Sequence, residues 1–124
     1  MIKEYLLTSL ILLGLDFIYL SLTKKYFNDQ VQLVQGTPIK LNIIATIACY
    51  ILLSMGIFYF IIKKKFSYFE SFYLGIFVYG VYDLTTMAIL KNWKWNTVVM
   101  DTLWGGTLFV LVKFLFQKTQ FYIV

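Results

Sequence analysis

Four long apolar runs, separated by short polar segments, constrain this chain more than any other feature. Each run has the roughly 20 residues that a helix needs to cross a hydrocarbon core about 30 Å thick. Lipid offers no hydrogen-bond partners to an open backbone, so runs of this kind fold as helices. The pattern predicts an all-α, four-helix transmembrane bundle, a single integral membrane domain over residues 1–124, with spans at residues 5–22, 41–62, 69–90 and 97–116.

The composition agrees with a membrane environment. Of the 124 residues, 60% are hydrophobic and only 14% are charged, whereas soluble domains average roughly 45–50% apolar and about 25% charged residues. Polar groups are too few to cover a globule of this size, so the expected surrounding is a lipid bilayer. The densest lysine group, residues 63–65, lies on the same side as both termini, which predicts that the termini are cytoplasmic.

The residue types present disfavour several classes of site. All 11 basic residues are Lys, and Arg and His are absent. The chain therefore lacks the usual bidentate phosphate ligand and the commonest general base and metal ligand. Cys49 is the single cysteine, which excludes an internal disulfide and a thiolate zinc cluster. The lysines that give the net charge of +5 are spread between the spans, where they act as membrane anchors, and this argues against nucleic-acid binding. No motif indicates a cofactor.

Two linkers carry structural signals. The segment TKKYFNDQVQLVQGTPIK, residues 23–40, is amphipathic until the GTP tripeptide breaks it. It either lies as a short helix on the membrane surface or extends the first span. The segment KNWKWN, residues 91–96, is short enough only for a tight helical hairpin. Its Trp93 and Trp95 fit the aromatic belt at the membrane interface.

Three carboxylates lie inside the spans. Asp16, Asp83 and Asp101 each cost roughly 2.5–3.5 kcal/mol at the centre of a membrane helix, so they must face the bundle interior or water. They lie about 9, 10 and 6 Å from the nearest ends of their spans, at 1.5 Å per residue. Those ends are on the same side of the membrane, whichever way the chain is oriented. The sequence therefore predicts that all three carboxylates meet at a similar depth in one leaflet.

The helical period indicates which side chains accompany these carboxylates. Residues three or four apart share a helix face, and each of the three faces combines the carboxylate with an aromatic side chain and a hydroxyl. The second span offers only neutral groups at this period: Asn42, Thr46, Cys49 or Tyr50, and Leu53. The residues predicted to form a binding or conduction site are Asp16, Asp83, Asp101, Tyr79, Thr86, Trp104 and Tyr19.

Close helix approach is also predicted. Small residues let membrane helices pack with their backbones in contact, and the third and fourth spans contain four glycines. These are Gly75, Gly80, Gly105 and Gly106.

Three functions are compatible with the carboxylate cluster. In the leading hypothesis the carboxylates bind or conduct a cation or a proton, as in a small channel or transporter. Alternatively, the chain is a membrane-embedded enzyme acting on a lipid or polyprenyl substrate, with the carboxylates as acid and base or as Mg²⁺ or Ca²⁺ ligands. In the third interpretation, each Asp accepts hydrogen bonds and fixes helix packing in a structural or interaction subunit. Four helices enclose only a narrow pocket, so a homo-oligomer would favour a pore.

Three motifs resemble a known family. The segments LGLDFIYLSLTKKY, GIFVYGVYDLTTMAILKNW and VVMDTLWGGTL are similar to a family of small four-span membrane proteins, domain of unknown function number 2177. The resemblance implies the four-helix architecture and no particular activity. The sequence departs from the family pattern at Thr86, where Asn is usual, and at Lys94, where Pro is common. The residues that match are Asp16, Tyr19, Tyr82, Asp83, Leu84, Thr85, Asn92, Trp93, Asp101, Trp104 and Gly105.

Overall fold

The computed structural model describes the backbone of residues 2–123 and the side chains of residues 2–120. The predicted all-α class is confirmed, and these residues contain no strand. All four helices are long and apolar enough to cross a membrane, when α2 is taken with the π-helical segment that continues it. The elements are α1 (Ile2–Gln35), α2 (Ile43–Gly56), the π-helical segment (Ile57–Lys63), α3 (Tyr68–Ile89) and α4 (Trp95–Ile123).

The helix starts follow from local capping. Asn42 precedes α2, and its side-chain oxygen accepts a 3.0 Å hydrogen bond from the Ala45 backbone N–H. Ser67 and Glu70 form a reciprocal capping box at the start of α3, with bonds of 3.1 and 2.9 Å. Each cap satisfies backbone donors that the first helical turn leaves without a partner.

Helix α1 is much longer than the first predicted span. It runs for 34 residues, about 51 Å at 1.5 Å per residue, and ends where Gly36 adopts a positive φ of 79°. Of the two predictions for residues 23–40, the structure therefore shows an extension of the first span. The extension is anchored by Gln30, which is 2% exposed and hydrogen-bonded to the loop between α3 and α4.

Packing is tightest between α3 and α4. A Cβ atom built at Gly75 would overlap the backbone of Gly105, and one at Gly106 would come within 2.7 Å of the Phe72 ring. Gly80 is looser, because its Cβ would lie 3.4 Å from the Thr102 methyl group. The predicted close approach at glycine therefore holds at Gly75, Gly105 and Gly106, where a side chain would push the helices apart.

Helices α2 and α4 have opposite roles in the bundle. In the most apolar stretch of α4, 39% of residues are buried, against 11% for α2 with its π-helical continuation. Helix α4 contacts α1, α3 and the π-helical segment, whereas α2 packs mainly on α1. The buried apolar core lies on the side of the carboxylates that is nearer to the two chain termini. It consists of Leu12, Ile57, Ile61, Leu108, Phe109 and Val112.

Candidate intramembrane carboxylate site

The bundle brings the three predicted carboxylates together in a row. Asp101 on α4 is the middle member, because its carboxyl group interacts with Asp83 on α3 and with Asp16 on α1. Their side chains are 9%, 0% and 7% exposed, respectively. In the described part of the chain, no three Asp, Glu, His or Cys side chains form a group that could hold a metal ion.

Asp16 is held by two neutral donors from different helices. The Tyr50 hydroxyl on α2 donates to Oδ2 of Asp16, and the Trp104 indole N–H on α4 donates to Oδ1 at 3.1 Å. Asp16 therefore joins α1, α2 and α4 at one level, which fits a structural role for this residue.

Tyr19 connects Asp16 to Asp101. Its hydroxyl donates a 3.3 Å hydrogen bond to Oδ1 of Asp101. Its ring stacks on Trp104 with centroids 4.5 Å apart and an interplanar angle of 1°. The stacked Tyr19 ring thus positions Trp104, whose indole N–H donates to Asp16. These contacts make Tyr19 and Trp104 parts of one aromatic and carboxylate network.

Asp83 differs from the other two carboxylates. Its side chain is fully buried, and neither of its oxygens has a hydrogen-bond partner among the described residues. Asp101 and the Trp93 indole are its electrostatic neighbours, but the indole N–H, itself buried, stops short of hydrogen-bond geometry. Burying a charged group without a partner costs several kcal/mol. Asp83 is therefore the carboxylate in this site whose burial is not balanced by a hydrogen-bond donor.

A cavity of about 550 Å³ reaches this row from one end of the bundle. Asp16 and Asp101 line it together with Tyr50 and Tyr79, and Lys40 and Asn42 lie at the same cavity. Asp83 is outside the lining, whereas its neighbour Asp101 belongs to it. The carboxylates accordingly divide into two that reach the cavity and one enclosed between α3 and α4.

The other predicted site residues have different positions. Tyr79 lines the cavity and packs its ring against Gly105 and Phe109, with 6.2 Å between the Tyr79 and Phe109 centroids. Thr86 shares the face of Asp83, but its hydroxyl donates to the Tyr82 carbonyl of its own helix at 2.8 Å. The structure therefore places Tyr79 in the site and gives Thr86 a local backbone contact.

Two contributors were not identified as site residues. Tyr50 counted only as one of several neutral groups in the second span, yet it donates to Asp16. The sequence pattern predicts Trp93 in the interfacial aromatic belt, but its side chain is half-buried beside Asp83. The position of Trp93, ten residues after Asp83 in a hairpin of only a few residues, was the available signal. A tight turn folds the start of the next segment back onto the end of the helix.

The fold and the site define a multi-pass helical membrane protein with a row of carboxylates inside its bundle. The family described as "Predicted membrane protein (DUF2177)" has a model that matches residues 1–115, and the chain belongs to this family. The resemblance seen in the motifs is thereby confirmed. Comparison with curated proteins and with solved structures finds no match.

Proposed function

We propose that this membrane protein binds a proton or a small cation at Asp83 and Asp101. The observation that supports the proposal is Asp83, which is fully buried with both oxygens lacking a hydrogen-bond partner in the described chain. Two neighbouring carboxylates in a low-dielectric interior repel each other, and a bound positive charge removes that cost. A proton or a small cation supplies this charge without requiring a large cavity.

The structural alternative explains only part of the site. If the carboxylates merely fixed helix packing, each would have its own donors. Asp16 has Tyr50 and Trp104, and Asp101 has Tyr19, so both fit that description. Asp83 does not fit it. Cation binding accounts for the residue that the structural alternative leaves unexplained.

The position of the apolar core favours binding and exchange from one side. Asp101 links Asp83 to the cavity, so it is the route by which a proton or cation would reach the buried carboxylate. Beyond the carboxylates the interior contains an apolar cluster that includes the fully buried Leu12 and Leu108. The buried polar residues described on that side carry no carboxylate and include Thr8, Ser54 and Ser71. Movement across the whole membrane would therefore need a second conformation or an assembly of several chains.

The variant Asp83→Asn tests the proposal through stability. A ligand that binds only the folded state stabilises it by mass action. We therefore expect the unfolding midpoint of the wild-type protein in micelles to rise as the pH falls or as the monovalent cation concentration increases. In Asp83→Asn a neutral amide can donate to Asp101, mimicking the compensated site. This variant is expected to be at least as stable as wild type and insensitive to the ligand.

Asp29→Asn is the matched control, because Asp29 is an exposed carboxylate on the extension of α1. It should retain the wild-type dependence on pH or cations. If Asp83→Asn loses stability and the unfolding midpoint of the wild type does not change with pH or cation concentration, the result would support a structural role instead. Cation or proton flux in proteoliposomes that disappears in Asp83→Asn would extend the proposal from binding to transport.

A further inference from the structure

A lateral groove between α2 and α3 lies next to the cavity that contains Asp16 and Asp101. The groove has a volume of about 570 Å³, and its floor includes Phe109 of α4. It shares four lining residues with the cavity that holds Asp16 and Asp101, so the two spaces lie side by side along α2 and α3. The shared residues are Ala45, Cys49, Leu53 and Val78.

The sequence of α2 creates this space. Ala45, Ala48, Cys49 and Gly56 are small residues that line the groove where most membrane helices would carry larger side chains. A Cβ atom built at Gly56 has no neighbour within 4 Å among the described atoms, so the space beside it is open. From Ala45 to Phe60 the groove follows α2 for roughly 20 Å, somewhat more than half of a hydrocarbon core about 30 Å thick.

The two ends of the combined space have different chemistry. At one end Asp16 and Asp101 present carboxylates beside the Tyr50 ring. Lys40 also lines this cavity, so the carboxylates outnumber the lysine by two to one. Along the groove the lining is almost entirely aliphatic and aromatic, with residues such as Leu53, Leu74 and Val78. Such a space fits a molecule with a positively charged head and an apolar tail, because opposite charges attract at the head and lipid-like surfaces meet along the tail.

We infer that the groove binds a single-chain membrane amphiphile with a protonated amine head, whose head lies at Asp101 and Asp16. The inference rests on the proposed function, since the amine supplies the positive charge that the carboxylate row needs. A second copy of the chain is a poorer occupant. A transmembrane helix about 10 Å wide would displace roughly three times the groove volume over the same length. An alkyl chain is narrower and enters sideways from the bilayer.

Photolabelling in lipid nanodiscs tests this inference. The probe is a long-chain primary alkylamine with a diazirine in its tail, compared with an alkyl sulfate of the same length and label. We expect the amine to label residues of the groove, including Leu53 and Val78. A hydrogen bond between charged groups corresponds to at least about a tenfold difference in affinity, so the amine should label about tenfold more than the sulfate.

Substitutions test the contacts of the amine head and those of the alkyl tail separately. Asp101→Asn should remove most of the preference for the amine, with Asp16→Asn as a second variant if the first does not fold. Gly56→Leu fills the open groove and should abolish labelling by both probes, as should Ala48→Leu. Gly14→Leu is the matched control, because Gly14 is an exposed helical glycine that also has no neighbour within 4 Å of a built Cβ. It should label like the wild type.

Three results would overturn the inference. These are equal labelling by amine and sulfate, labelling that Gly56→Leu does not reduce, and crosslinks between chains across the groove in place of probe labelling. If labelling fails while wild-type stability still depends on pH or cations through Asp83, only the amphiphile is rejected. If that dependence is also missing, the proposed cation site is rejected too.

Discussion

Replacing Gly75 by Ala is expected to destabilise the bundle by about 3 kcal/mol, the upper end of the usual cost of overpacking. The added methyl group would overlap the carbonyl of Gly105, which belongs to the backbone of α4 and cannot rotate away. The two helices would have to separate along their tightest contact. The free energy of unfolding in mixed micelles, obtained by denaturant titration, measures the effect.

Gly80→Ala is the matched control on the same helix. Its new methyl group would lie 3.4 Å from the Thr102 methyl, an ordinary contact. Replacing Gly by Ala inside a helix also gains up to about 1 kcal/mol in helix propensity. We therefore expect Gly80→Ala to be neutral or slightly stabilising. Similar losses at both positions would show that the close contact between α3 and α4 is not what stabilises the hairpin.

The variant Gln30→Leu is expected to destabilise the protein by about 3 kcal/mol, because it removes three hydrogen bonds and each contributes about 0.5–1.5 kcal/mol. Gln30 donates to the Asn92 carbonyl at 2.7 Å and accepts from the Lys94 N–H at 3.1 Å. It also accepts a 2.6 Å hydrogen bond from the buried Thr97 hydroxyl. Leucine keeps the volume and removes all three contacts.

Hydrogen exchange gives a second measurement of the Gln30→Leu effect. The Lys94 amide should exchange faster in the variant, because its acceptor is gone and the loop opens more often. Gln32→Leu serves as the control, since Gln32 is exposed two residues further along α1. If the two variants lose the same stability and leave the Lys94 amide equally protected, the anchoring role of Gln30 is wrong.

The Gln30 contacts also have a consequence for the site. They fix the turn at Asn92, which has a positive φ of 65°, and the next residue is Trp93 beside Asp83. The extension of α1 is therefore part of the support for the buried carboxylate. The amphipathic pattern of residues 23–40 is compatible both with a helix on the membrane surface and with an extension of the first span. The partners of Gln30 are 62–67 residues away in the chain.

The glycines illustrate a similar limit. All four in α3 and α4 were predicted to permit close approach, and the structure distinguishes Gly80, where a methyl group would fit, from Gly75, where it would not. Composition and spacing indicate where helices can approach each other. The rotation of each helix about its axis decides where they do.

The sequence by itself determined the helical class, the four apolar runs and the shared depth of Asp16, Asp83 and Asp101. Those properties depend on run length and on the rise per residue, which are local. Only the tertiary structure decided that Tyr50 and Trp104 donate to Asp16, that Asp83 has no such partner, and that α2 leaves a groove beside α3. These features depend on helix rotation and on the choice of neighbours. Inside lipid both are set by packing between helices that are distant in sequence, and hydrophobicity alone does not distinguish the alternatives.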